Sequence, residues 1–160
     1  MAHINHESVV NAALEKHLDM EGSLLPILHE VQDAIGYIPS EAIDMIGKSI
    51  NRSRAEVHGV VSFYHHFRQQ KPGKHIIEVC RSEACQAMGA ADVVEDLKNK
   101  LGIDFHETTA DAQITLEPIY CLGHCACAPA LMIDGVPKAR ISVDQLDGLI
   151  ADLRATNNDK

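Results

Sequence analysis

Tyr120-Cys121-Leu122-Gly123-His124-Cys125-Ala126-Cys127-Ala128-Pro129 carries three of the five cysteines in the chain. The other two, Cys80 and Cys85, lie upstream across a segment with helical periodicity. Two short-range pairs so far apart, Cys80-x4-Cys85 and Cys121-x3-Cys125, predict a four-thiolate site closed by folding. The metal held there decides what the chain does.

Both cysteine loops follow strand-like runs. His75-Ile76-Ile77-Glu78-Val79-Cys80 reads as a buried strand running into the first cysteine, and Gln113 to Cys121 as a second strand delivering another. Between them Gly89 to Leu101 has helical spacing, with Val93, Val94, Leu97 and Leu101 on the inner face. Asp134-Gly135 marks a hairpin between Leu131-Met132-Ile133 and Val136 to Ile141. Ser142 starts a last helix carrying Val143, Leu146, Leu149, Ile150 and Leu153. Strand, helix, strand, strand, helix predicts an α/β layer over residues 75–156, with both cysteine loops at one end of the sheet.

Residues 1–70 read differently. Asn5 to Met20 carries Val9, Val10, Ala13, Leu14 and Leu18 at helical spacing. Ser23 is the expected cap of a second helix with Leu24, Leu28, Val31 and Ile35 inside, ended by Gly36. Ser40 is the expected cap of a third helix, with Glu41 in its first turn and an Ile43, Ile46 and Ile50 face weakened by Gly47. Ser53 and Glu56 have capping-box spacing ahead of Val57, Val60, Val61 and Tyr64. A small helical bundle is therefore expected first, joined through the polar Gln69-Gln70-Lys71-Pro72-Gly73-Lys74 linker.

At 160 residues the chain is one ordinary domain or two small ones. A net charge of −9 argues against sequence-independent nucleic-acid binding, which needs a basic face. No run approaches the ~18–20 apolar residues of a membrane span, and the start lacks a secretory pattern. A reducing cytoplasm is the expected location, where lasting disulfides are disfavoured and thiols serve as ligands.

The spacings alone leave two metals open. Structural zinc takes four thiolates at ligand spacings of two to four residues. A [2Fe–2S] centre also takes four, and the small residues of both loops (Ala84, Ala87, Gly89, Gly123, Ala126, Ala128) leave room for something bulkier than one ion. Gly123 would let its backbone approach such a centre, and the helix starting near Met88-Gly89 would turn its positive end towards Cys85. Cys127 reads as a structural thiol, although Cys121-x5-Cys127 is a second possible pairing. His65 and His66, adjacent on a helix, face different directions; His58 and His65 share a face but lack further ligands. His124 is an alternative ligand of the Rieske kind. No G-x-S-x-G elbow, phosphate loop or dinucleotide fingerprint is present, and no C-x-x-C pair suggests a thiol–disulfide enzyme.

Cys80-x4-Cys85 with Cys121-Leu122-Gly123-x-Cys125-x3-Pro129 resembles the thioredoxin-like [2Fe–2S] ferredoxin subunits of NAD-linked dehydrogenases. Leu24-Leu25-Pro26-Ile27-Leu28, Gly36-Tyr37-Ile38-Pro39 and the run from Ser53 to Tyr64 resemble that family's N-terminal helical domain. The resemblance implies a thioredoxin-like domain, one [2Fe–2S] cluster, and ligands at Cys80, Cys85, Cys121 and Cys125, with none at Cys127. It also implies docking beside a subunit that holds FMN and binds NAD, dimerisation when isolated, and no turnover by this chain alone. The family includes small subunits of NADH:quinone oxidoreductase and of NAD-reducing hydrogenases. Cys80-Arg81-Ser82-Glu83-Ala84-Cys85-Gln86-Ala87-Met88-Gly89, Tyr64-His65-His66-Phe67-Arg68 and Cys125-Ala126-Cys127 look most like the gamma subunit of cytoplasmic NAD-dependent molybdenum formate dehydrogenase, implying a molybdenum catalytic subunit as a further partner.

Overall fold

The amphipathic segments near the start fold into α1 (His6–His17), α2 (Leu24–Ile35), α3 (Ser40–Ser49) and α4 (Arg54–Phe63). The computed structural model describes residues 5–156, and the chain divides into the units Met1–Lys71 and Pro72–Lys160. The first unit is built around Val10, Leu14, Ile27, Leu28, Val31, Ile43, Ile46, Val57 and Val61.

The helix ends differ from the sequence expectation in instructive ways. Asn5 caps α1, its side chain accepting from the Ser8 N–H. The helix stops at His17, leaving Leu18 and Met20 exposed beyond it. Ser23 stands at the cap position of α2 but has helical backbone angles, and its hydroxyl makes no capping bond. Ile27 is fully buried while Leu24 is only half-buried, so the inner stripe begins one turn later than expected. Gly36 ends the helix with φ +94°, a conformation open to glycine.

Ser40 is not a cap either. Pro39 takes that position, and the Ser40 hydroxyl and carbonyl instead accept from the Arg54 guanidinium. Gly47, expected as a weakness, sits where α3 meets the next turn: a Cβ there would lie 2.9 Å from the Arg52 carbonyl oxygen. The Ser53–Glu56 capping box forms in full. Val57 and Val61 are buried, but Val60 is half-buried and Tyr64 exposed, so the inner stripe of α4 is narrower than its periodicity. His65 and His66 lie in a turn past the end of α4, not on a helix.

The second unit contains β1 (His75–Cys80), α5 (Glu83–Ala87), α6 (Ala90–Leu101), β2 (Glu107–Thr108), β3 (Ile114–Ile119), β4 (Ala130–Ile133), β5 (Val136–Ala139) and α7 (Leu146–Ala155). The strands form one sheet in the order β2-β3-β1-β4-β5. β1 and β3 are parallel, while the other neighbours are antiparallel. Ile77, Val79, Ile114, Leu116 and Leu131 of the sheet pack with Val93 and Leu97 of α6 and Leu146 and Ile150 of α7. Asp134 (φ 50°) and Gly135 (φ 81°) make the expected tight hairpin turn. Ser142 pairs with Gln145 in a capping box over a 3₁₀ turn that leads into α7.

Short α5 and two-residue β2 were not anticipated, because neither is long enough to show a period. The strand expected to reach Cys121 stops at Ile119, where its register partner β1 also ends at Cys80. Gly73 is tied to this unit's sheet just before β1: its N–H donates to Thr115 Oγ1 at 2.6 Å. A Cβ on it would lie 2.9 Å from the Gln113 and Ile114 backbone.

Candidate metal centre

Topology puts the cysteine loops together. β1 and β3 run parallel and in register to Cys80 and Ile119, so the chain leaves both at the same end of the sheet. β4 is antiparallel to β1, with Val79 opposite Leu131, so its first residue, Ala130, enters from that end too. Cys80, Cys85, Ala90 and Ala130 form a small buried cluster there, with Ile119, Leu122 and Ala128 against it. Cys85 is carried by α5, and Ala90 is the first residue of α6.

All five cysteines are free thiols, Cys80 and Cys85 buried, Cys127 half-buried, Cys121 and Cys125 exposed. Burial disfavours ionisation of Cys80, yet the backbone at Ser82 and Leu122, the neighbouring Cys85 thiol and the Ser82 hydroxyl outweigh it and hold the Cys80 thiol below the usual range. Burial pushes the Cys85 thiol up, and hydrogen bonding with Cys80 and the nearby charges of Cys80 and Cys125 add to this against a backbone contact from Ala130. Cys80 therefore ionises ahead of Cys85. Gly123 donates its N–H to Cys121 Sγ at 3.3 Å. Its glycine identity follows from φ +73°, not from crowding, since nothing lies within 4 Å of a Cβ placed there.

His124 Nδ1 lies 2.8 Å from the Leu122 carbonyl oxygen, a contact within its own loop. Cys125–Cys127 form a 3₁₀ turn, and the Cys127 carbonyl accepts from the Arg140 N–H. Among the described residues no three His, Cys, Asp or Glu side chains close around a single metal-ion position. The thiols are arranged as a buried pair facing an exposed loop. Sequence reasoning missed the backbone around them: Ser82, Leu122 and Ala130 face sulfur, yet backbone donors leave no mark in residue type. The donor set suits an iron–sulfur group. It offers soft thiolates, and backbone N–H groups that offset the negative charge of a thiolate-ligated cluster.

The chain belongs to the thioredoxin-like [2Fe-2S] ferredoxin family, whose model matches residues 10–154, and its cofactor is one [2Fe–2S] cluster. It is similar to a subunit of the NADH-quinone oxidoreductase of Pseudomonas aeruginosa, 39% identical over 127 residues, 79% of this chain and 76% of that one. It is also similar to the NADP-reducing hydrogenase subunit HndA of Solidesulfovibrio fructosivorans, 34% identical over 132 residues, 82% of this chain and 77% of that one. In three dimensions it resembles a chain of an NAD+-reducing [NiFe]-hydrogenase, with TM-score 0.71 and 27% identity over 84% of this chain. It spans only 23% of that longer chain. No helix among the described residues is long and apolar enough to cross a membrane.

Proposed function

We propose that the chain is the electron-transfer subunit of a multi-subunit NAD-linked oxidoreductase, and that Cys80, Cys85, Cys121 and Cys125 hold its cluster. The observation that carries this reading is topological: parallel β1 and β3, with β4 returning antiparallel beside β1, bring both cysteine loops to one sheet end. When bound, a [2Fe–2S] cluster accepts and releases single electrons. The chain's own contribution is to set how readily that happens. Backbone N–H groups at Ser82, Leu122, Gly123 and Ala130 favour added negative charge at the sulfurs, whereas burial of Cys80 and Cys85 opposes it. Cys127, whose carbonyl is tied to Arg140, serves as a packing thiol.

The electron partner is the FMN of a neighbouring NAD-binding subunit, in the cytoplasm, and the isolated chain forms a homodimer. The first cysteine loop, Tyr64 to Arg68 and Cys125-Ala126-Cys127 resemble the gamma subunit of molybdenum formate dehydrogenase, and on that likeness we place a molybdenum catalytic subunit in the parent complex. A second reading, a subunit of a quinone reductase or hydrogenase, is favoured by the relatives in Pseudomonas aeruginosa and Solidesulfovibrio fructosivorans.

Purified protein should be red-brown and give an EPR signal on reduction. Cys127→Ser should retain both, and Cys121→Ser and Cys125→Ser should lose or badly destabilise them. Zinc without iron or acid-labile sulfide would overturn the electron-transfer reading. Loss of colour in Cys127→Ser but not in Cys125→Ser would move the fourth ligand. Co-purification with a molybdenum subunit supports the formate reading, whereas recovery with quinone-reductase or hydrogenase subunits supports the second.

A further inference from the structure

Serine is a favoured helix N-cap because its hydroxyl accepts from an unpaired N–H of the first turn. Ser82 stands at that position before α5, with φ −71° and ψ 157°, yet makes no side-chain capping bond. Its hydroxyl donates instead to the Tyr120 carbonyl, 38 residues away. Beside it, the Arg81 N–H donates to the Ile119 carbonyl at 2.7 Å. The Arg81 carbonyl in turn accepts from Gln86 Nε2 at 2.6 Å. The β1–β3 pairing ends at Cys80 and Ile119. These contacts prolong it, one main-chain bond and then one side-chain bond, into both cysteine loops.

Ser82 thus stands between the two cysteine loops. Cys80 is two residues before it, with its sulfur facing both the Ser82 backbone and the Ser82 hydroxyl. Cys85 rides on the helix that Ser82 opens. Tyr120, the acceptor, adjoins Cys121 and precedes Leu122 and Gly123, whose backbones face the Cys80 and Cys121 sulfurs. We propose that Ser82 is a positioning residue for the cluster, its hydroxyl diverted from local capping to latch the Cys80–Cys85 loop onto the Cys121–Cys125 loop. This rests on the ligand assignment proposed above. Without the hydroxyl the Tyr120 carbonyl turns to water, and the Leu122 and Gly123 N–H groups lose their fixed aim at sulfur.

The test uses Ser82→Ala, Ser82→Thr and Ser82→Gly in the full chain, with Gln86→Ala as a neighbour that leaves the latch intact. In cluster-free protein, amide hydrogen exchange at Leu122 and Gly123 should quicken about five-fold in the alanine and glycine variants. That ratio corresponds to one neutral hydrogen bond of about 1 kcal/mol at 25 °C. The threonine and Gln86→Ala variants should exchange as wild type does. In cluster-loaded protein the midpoint potential and EPR g-values should move in Ser82→Ala and return in Ser82→Thr. Because the Ser82 hydroxyl also faces the Cys80 sulfur, the amide exchange at Leu122 and Gly123, not the potential alone, reports the latch. Unchanged amides in Ser82→Ala and Ser82→Gly, or Ser82→Thr exchanging as fast as Ser82→Ala, would overturn the latch. Exchange in cluster-free protein does not depend on which thiols bind iron. If Cys125→Ser loses the cluster while the amides ignore Ser82, the latch fails and the ligand reading stands; faster amides with a different ligand set would show the reverse.

Discussion

Gly47 and Gly59 stand in consecutive helices and answer opposite demands. A Cβ on Gly47 would meet the Arg52 carbonyl oxygen at 2.9 Å and Val57 Cγ2 at 3.5 Å, whereas one on Gly59 meets nothing within 4 Å. Gly47→Ala should therefore destabilise the helical unit by about 1–3 kcal/mol through overpacking. Gly59→Ala should stabilise it by about 0.4–1 kcal/mol by restricting the unfolded chain. Urea midpoints moving in opposite directions would bear this out; two stabilising substitutions would show that the backbone at Arg52 yields. The contrast also marks what single residues disclose in sequence. Ser53 and Glu56 could be read as a capping box because both partners lie within one turn. Gly47 could not, since its reason lies beyond the end of its own helix. Ser23 and Ser40 read as caps in sequence and Ser82 stands at a cap position in the structure, but none makes a side-chain capping bond to its own helix. The hydroxyls of Ser40 and Ser82 meet distant groups, Arg54 and Tyr120.

Between elements, the segment after α4 is held against α2 by a buried polar side chain. Gln32 is 3% exposed. Its Nε2 donates to the His66 carbonyl at 2.8 Å, and its Oε1 accepts from the Arg68 N–H at 2.7 Å. Gln32→Ala, leaving both groups unpaired, should cost about 1–3 kcal/mol in urea unfolding. The His66 ring lies 5.1 Å from that of His29 and 5.9 Å from that of Phe67. Burial first, then the charges of His29 and Arg68, hold the His66 pKa below the usual imidazole value, with Asp33 opposing. The unfolded chain thus binds the proton more readily than the folded one, and stability falls as pH drops below about 6.5 towards the folded value. His66→Gln should flatten that slope, read from urea midpoints at about pH 7 and about pH 5.5. Glu30, Glu41 and Glu56, lowered by hydrogen bonds, act in the same direction but at more acid pH. A slope unchanged by His66→Gln would place the titrating group elsewhere. None of this clamp was legible in the sequence, because the partners of Gln32 lie 34 and 36 residues away. Helices with a period, the Asp134-Gly135 turn and the strand into Cys80 were legible because each is specified by neighbours in the chain. The strand partners of Cys80, by contrast, come from Ile119 and from the start of β4, and only pairing reveals them.

For the whole molecule, the apolar clusters fall on separate sides of the division after Lys71. One lies wholly within residues 9–67, and the others between residues 77 and 153. Every thiol, and every backbone group found facing one, belongs to the second unit. Residues 72–160 expressed alone should therefore fold and take up the cluster, shown by far-UV circular dichroism and by the EPR signal after reconstitution. A colourless or aggregated product would mean that the thiol site needs the helical unit. Where such a piece begins matters. The polar run expected as the linker ends in residues hydrogen-bonded to β3 and to the turn before it. Gly73 donates to Thr115 Oγ1, and the Lys74 N–H donates to the Ala112 carbonyl at 3.1 Å. A piece starting at His75 gives up both bonds and exposes the β3 backbone on which Gly73 rests. It also loses the exposed Lys74 Nζ contact to the Thr156 carbonyl. It should be less stable than the piece starting at Pro72 by at least about 1–3 kcal/mol, the two main-chain N–H bonds at about 0.5–1.5 kcal/mol each. Equal urea midpoints for the two pieces would show that the segment before His75 is a tether and that the sheet begins at β1.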